Sequence, residues 1–349
     1  MHFRFFKYAS VFITVAVILF SMWKGGAWVF LAPIYTFGFI PLLELAFKGS
    51  PQNLSKAEEE LAKDDWKYDW IVWSVVPIQF ATLYYFLQRV SDPQLRSWEV
   101  VGMILAFGIS CGVLGINVAH ELGHRSTRYE RLLSKMLLAT SLYMHFYIEH
   151  NRGHHKNVST DEDPASARVG ENIYAFYFRS VKGSWLSAWH LEGMRLKNSN
   201  RNFISLYNEM LVFQLVQLLL LTLITWVWGW KVMLCFVGAA ILGFLLLETV
   251  NYIEHYGLRR KKTAGGQYER VMPAHSWNSD HPVGRIMLFE LTRHSDHHFM
   301  TSRKFQLLRH LEESPQMPTG YPGMMVLSLF PPLWFKVIHR TMKKYNTLL

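Results

Sequence analysis

Six apolar stretches punctuate the chain, at about residues 8–22, 27–47, 70–87, 100–119, 210–226 and 232–250. Each approaches the roughly 20 residues that a helix needs to cross the hydrocarbon core of a bilayer. The pattern predicts an all-α integral membrane protein with six transmembrane helices. A seventh apolar stretch, 132–148, contains Lys135 and His145 and reads as interfacial. No small-residue cleavage site follows the first stretch. Trp23, Gly25 and Gly26 there read as a short turn into the second. Eight of the 13 tryptophans (Trp23, Trp28, Trp66, Trp70, Trp98, Trp226, Trp228, Trp230) fall at or near span ends, as interfacial aromatic belts do. Gly108 and Gly112 form a small-xxx-small pair suited to helix packing. Glu44, the one acid in the second span, either reaches the interface or supports a buried site.

Composition fits this picture. Half of the 349 residues are hydrophobic and 18% are charged, which disfavours disorder and a soluble nucleic-acid binder, so no nucleic-acid partner is expected. The net charge of +10 follows from topology. Successive loops carry two, four, twelve and fourteen Lys or Arg on one side and one, two and one on the other, so both termini are expected in the cytoplasm. The chain reads as one domain, 1–349, with two insertions, about 120–209 and 251–349, forming a cytosolic cap under the bundle. Gly and Pro break both insertions, among them Gly153, Pro164, Gly265, Gly266, Pro273, Pro315 and Pro318. The two cysteines, Cys111 and Cys235, lie in apolar runs and supply neither a disulfide framework nor a four-cysteine metal site.

The chemistry lies in the 16 histidines. The fourth span runs into His120-Glu121-Leu122-Gly123-His124, which as a helix sets two imidazoles one turn apart. Glu149-His150-Asn151-Arg152-Gly153-His154-His155 follows, with histidines at i, i+4 and i+5. On an α-helix two of these share a face and the third diverges by about a third of a turn, which suits two metals. His294-Ser295-Asp296-His297-His298 repeats the theme, and Asn251-Tyr252-Ile253-Glu254-His255 closes the sixth span. The candidate ligands are His120, His124, His150, His154, His155, His255, His294, His297 and His298, more than one zinc can use. Imidazole suits zinc, copper, nickel and iron alike. The setting favours iron, because a cluster under six apolar helices suggests a hydrocarbon substrate, and oxidising an unactivated C–H bond needs a redox metal and dioxygen. Glu121, Glu149, Glu254, Asp296 and Asp163 are expected to accept from imidazole N–H groups. Asn251 and His275 complete the supporting set, while His2, His190, His310 and His339 read as structural or exposed. Phe37, Phe80 and Leu114, on the second, third and fourth spans, are candidate walls of a substrate channel that the sixth span completes. A zinc protease built on His120, Glu121 and His124 leaves seven histidines unexplained, and a metal transporter would place its ligands along the spans.

At these residues the chain resembles the membrane-bound alkane 1-monooxygenases, the integral-membrane non-haem di-iron hydroxylases. The four histidine strings carry the resemblance, together with Asp163-Pro164-Ala165, His275-Ser276-Trp277-Asn278-Ser279 and Pro318-Thr319-Gly320-Tyr321-Pro322-Gly323. It runs from about residue 27 nearly to the end. It implies six transmembrane helices in the cell inner membrane and a di-iron site held by the nine histidines in the cytosolic cap. It also implies terminal hydroxylation of medium-chain alkanes or similar hydrocarbons drawn from the lipid phase, with dioxygen and electrons from rubredoxin. Without four suitable cysteines for an iron site of its own, the chain would need a separate rubredoxin with its reductase. Arg259, Arg260, Lys261 and Lys262 are candidates to receive that acidic carrier. Thr292, Asp280, Phe299 and Ala274 depart from the family pattern. The alternative activity on the same histidine plan is fatty-acyl desaturation or hydroxylation.

Overall fold

The computed structural model describes residues 4–345. Among them all regular structure is helical, apart from two isolated bridging pairs, Lys262 with Tyr268 and Asn278 with Gln316. The first half comprises α1 (Arg4–Lys24), α2 (Gly26–Ala46), α3 (Trp66–Val90) and α4 (Ser97–Gly123), then α5 (Arg128–Ala139), α6 (146–157) and α7 (Ile173–Asn198). The second comprises α8 (Glu209–Trp228) and α9 (Trp230–His255), followed by the short α10 (Pro282–Met287), α11 (His294–Phe299), α12 (Tyr321–Ser328) and α13 (Pro331–Lys344). Six of these, α1 to α4, α8 and α9, are long and apolar enough to cross a membrane. They coincide with the six apolar stretches but outrun them. A hydropathy pattern stops where side chains turn polar, whereas the backbone hydrogen bonds of α4 and α9 continue through His120 and His255.

The 132–148 stretch contributes no further span. It is divided at Leu142, whose φ of +51° turns the chain between α5 and α6. The α1–α2 turn uses Gly25 and Gly26 at φ +63° and +55°, a region that glycine enters without a Cβ penalty. Helices α4 and α9 form the central pair, and they meet on small residues. A Cβ on Gly243 would lie 2.4 Å from Cβ of Cys111, and one on Gly108 within 3 Å of Leu242. Close backbone approach of this kind is what small residues permit between membrane helices.

Three helices widen locally into π-turns, at Tyr35–Phe39 in α2, Ser110–Ile116 in α4 and His150–His154 in α6. Such one-residue bulges recur at functional sites, and here the first two border an internal cavity and the third carries histidines. The long segments after α4 and α9 pack together at the end of the bundle where those two helices finish. Gly257 N–H donates to Ala167 O (3.1 Å), Arg260 N–H to Ser159 O (2.8 Å) and Ser159 Oγ to His275 O (2.7 Å). Glu44 does not reach an interface. It is fully buried, and Oε1 accepts from Gly284 N–H at 2.8 Å, so it joins the end of α2 to α10.

Buried charge ties α3, α4 and α5 together. Arg125, just past α4, lies between Asp69 of α3 (2.8 Å), Glu121 of α4 (2.7 Å) and Glu130 of α5 (3.9 Å), all largely buried. Removing one member of such a network strands the others without compensation, which costs about 3–5 kcal/mol. Arg125→Met is therefore expected to lower the thermal unfolding midpoint in detergent far more than Arg131→Met, whose guanidinium bonds only backbone carbonyls, of Arg125 and Ser126. Equal midpoints would show that the network contributes nothing to stability.

Candidate metal centre

The nine histidines come from α4 and the residue that caps it, His124, and from α6, α9 and α11, and the structure gathers all of them into two adjoining groups. His120, His124, His150, His155 and His297 form one; His154, His255, His294 and His298 form the other. Within each group the potential donor atoms lie within 4.8 Å of one another. The groups touch where the rings of His155 and His298 stand 4.4 Å apart.

The partition comes from backbone geometry. His150 and His155, five apart, meet with Nε2 atoms 3.0 Å apart, because the π-turn between them adds one residue and brings i+5 over i where an α-helix would bring i+4. His154 is thereby sent to the other group. An α-helix would align His150 with His154 and turn His155 away, so the α-helical reading of this string is corrected. In α11 the ordinary α-helical rule holds: His294 and His298 share a group, with Nε2 atoms 2.9 Å apart, and His297 joins the first.

The Nε2 atoms of the first group stand 3.0 to 3.2 Å apart between His120 and His297, His124 and His150, His124 and His155, and His155 and His297. Two nitrogens held at right angles about one ion, each about 2.1 Å from it, are about 3.0 Å apart. So many ring nitrogens converging on one point cannot satisfy one another by hydrogen bonds, since each proton serves only one pair. Burial also disfavours the charged form of the imidazoles beyond the spans. It pushes His124 down to about 4 and holds His150, His155, His294, His297 and His298 well below the ordinary histidine range. Neutral rings with free lone pairs are what a cation requires. His154 differs: burial opposes its charge, but the Asp163 carboxylate 3.0 Å from Nδ1 outweighs it and raises the pKa. That contact leaves Nε2 of His154 buried and without a hydrogen-bond partner. The donor set fits metal ions.

The supporting carboxylates divide. Asp163 accepts from His154, and Ser166 Oγ in turn donates to Asp163. Glu121 and Asp296 instead face arginines, Glu121 bonding Arg125 and Asp296 bonding Arg309 at 2.8 Å, because these cations are closer than any imidazole N–H. With Glu121 so engaged, the zinc-protease reading loses its general base. Glu149 packs under Gly153 beside Ser187. Glu254 sets Oε2 3.2 Å from Nε2 of His294, at the end of the cavity described below. Asn251 donates to Glu248 at 3.4 Å. His275 is held away from the cluster by Met272 N–H and by Glu269 at 3.3 Å. Glu248, which the sequence reading passed over, accepts from Tyr143 Oη at 2.8 Å in the interior. An acid within an apolar stretch, two helical turns before His255, was its available signal. His310 pairs with Asp280 and His339 with Tyr256, His190 is exposed, and His2 lies outside the described residues.

An apolar cavity leads to the cluster. Its walls include Thr14 of α1, Phe37 and Ile40 of α2, Gly112, Val113 and Ile116 of α4, and Leu246 and Val250 of α9, and it ends on His120, His150, Glu254 and His294. Phe37 is therefore a wall as expected, whereas Phe80 and Leu114 are not. Both belong to the core packed around α3, and α1 takes the place expected for that helix.

Comparison with known proteins agrees with this geometry. Residues 96–341 match the fatty acid desaturase family model. Alkane 1-monooxygenase 1 of Pseudomonas aeruginosa is 40% identical over 91% of this chain and 84% of its own length. An alkane 1-monooxygenase of Pseudomonas putida is 38% identical over 86% of this chain and 75% of its own. A xylene/toluene monooxygenase hydroxylase component, also from Pseudomonas putida, is 29% identical over 69% and 63%. Six helices long and apolar enough to cross a membrane, a metal-ready cluster of histidines and this similarity over most of the chain establish that it is an oxidoreductase of the alkane 1-monooxygenase family.

Proposed function

We propose that the protein hydroxylates the terminal carbon of medium-chain alkanes or similar hydrocarbons to primary alcohols, using dioxygen and electrons from a separate rubredoxin with its reductase. The observation that carries this reading is the apolar cavity ending on His120, His150 and His294. A hydrocarbon has no group to hydrogen-bond, so shape and dryness must do the positioning. The walls on α4 from Gly112 to His120 rise about 12 Å, a length that an extended hydrocarbon of medium size spans. The nine histidines are assigned as ligands of two irons, five to one ion and four to the other, with Asp163 orienting His154.

When bound, the irons supply the redox chemistry that dioxygen reduction requires. The chain's own part is to admit the substrate from the lipid between its spans, hold its methyl end against the cluster and keep water out. Asp163 fixes the His154 ring so that Nε2 faces inward. The orientation we favour puts the centre and both termini on the cytoplasmic face of the inner membrane, where a soluble carrier has access. The segments 120–209 and 251–349 then serve as the cap of a single domain. Within the basic run proposed for the carrier, Arg260 is bound to backbone carbonyls of Lys156 and Glu269, leaving Lys261 and Lys262 exposed.

Incubation of the purified protein with octane, rubredoxin, its reductase and dioxygen is expected to yield 1-octanol. No alcohol, together with unsaturated or hydroxylated product from a fatty-acyl substrate, would replace this reading with the desaturase-type alternative. His150→Ala or His297→Ala should reduce turnover at least 100-fold and lower iron from about two per chain towards one, with membrane insertion intact. Full turnover in either variant would remove that residue from the ligand set. Asp163→Asn should lower activity or iron affinity about 10- to 100-fold, and unchanged iron retention under chelator challenge would refute the orienting role.

A further inference from the structure

Helix α7 is apolar on both faces. Ile173, Phe176, Ala188 and Leu196 are buried against the bundle, while Tyr174, Phe178, Trp185, Leu186 and Met194 are exposed, Phe178 at 82%. The turn that follows adds Phe203, Ile204, Leu206 and Tyr207, with Ile204 and Leu206 more than 80% exposed. So many large apolar side chains left exposed on one helix and the turn after it mark an interaction site.

Charge identifies what covers it. Between Asn172 and Asn208 the sequence holds five Lys or Arg (Arg179, Lys182, Arg195, Lys197, Arg201) and one acid, Glu192. Glu192 is fully buried and bound to Arg152 and Arg195. The outward surface therefore combines large apolar side chains with cations and presents no carboxylate from this segment. That is the composition of helices lying in the headgroup layer of an anionic membrane.

Anchoring gives the same answer. Near its start α7 is fixed to the last turns of α9, where Tyr177 Oη meets Thr249 Oγ1 at 2.6 Å and the rings of Phe176 and Tyr252 stand 5.3 Å apart. Towards its end it is fixed to the first residue of α8, through Glu209 N–H donating to Glu192 at 2.7 Å. The last turn of α9 and the first of α8 lie at the same end of one helical hairpin, so a helix about 39 Å long joined to both runs across the bundle end rather than along it. We propose that α7 and the 203–207 turn form an in-plane membrane element, seated among anionic lipid headgroups, rather than part of a water-exposed cap. Because α7 also supplies Ser180 to Glu248 and packs against α6, its seat in the interface fixes the depth of the histidine cluster relative to the bilayer.

The test uses the full-length protein in nanodiscs of phosphatidylcholine and phosphatidylglycerol. In a Cys235→Ser background, where the remaining Cys111 is buried, a nitrobenzoxadiazole label is attached at Phe178→Cys, at Ile204→Cys or, as an aqueous reference, at Glu312→Cys. Labels at 178 and 204 are expected to be quenched at least threefold more by lipids carrying a nitroxide near the headgroup than the label at 312. They should also be quenched several-fold less by aqueous iodide. Iodide quenching at 178 and 204 equal to that at 312 would overturn the proposal by showing a water-exposed cap. Protection from both quenchers would overturn it in favour of protein cover, and a particle mass of two chains would identify that cover as a second copy. Native-like melting of each labelled protein excludes misfolding as the source of either result.

Discussion

Nine imidazoles brought to two points in a largely buried interior are the constraint around which the molecule is arranged. Each ring alone is a modest polar group. Together, with Nε2 atoms about 3 Å apart, they form concentrations of lone pairs that only cations can satisfy. The protein must hold this arrangement before any ion arrives, and it does so from four helices. The central pair of spans approaches closely on glycines, the segments between and after the spans close over their ends, and the buried Arg125 network locks the corner where the first histidines emerge. The apolar cavity belongs to the same solution, since a site bordered on one side by apolar walls excludes water there.

Hydropathy is a strong one-dimensional signal, and the six spans were legible because a bilayer imposes length and composition on every crossing helix. The nine histidines were legible for a similar reason: several residues of one chemically distinctive type recurring at helical spacing are hard to arrange by chance. Their division was not legible. It depends on a π-turn between His150 and His155, and nothing in the identity of the intervening residues announces a change in helical period. Glu121 and Asp296 sit beside clustered histidines in sequence yet pair with Arg125 and Arg309. Adjacency along the chain says nothing about cations arriving from elsewhere in the fold.

The channel illustrates a further limit. Phe37 was identifiable as a wall, but Phe80 and Leu114 were chosen on the same grounds and face the core instead. Hydrophobicity alone does not distinguish a helix face that lines a void from one that fills it, and membrane spans are hydrophobic on all faces. The distinction comes from relative rotation of the helices, set here by the glycine contact of α4 with α9 and by the widened turns in α2 and α4.

The widened turn at His150–His154 also ties the helical period to the spacing of the histidines it carries. A π-turn is an α-helix with one residue added. Without that residue the string would run i, i+3 and i+4, the spacing of His294, His297 and His298, where the i and i+4 rings share a group and the i+3 ring joins the other. The two strings therefore reach the same division of their rings through different spacings, one on an α-helix and one on a widened turn. A residue gained between such histidines keeps the division only if the backbone widens with it, so chain length and helical period change together, in a way that no series of side-chain replacements reproduces.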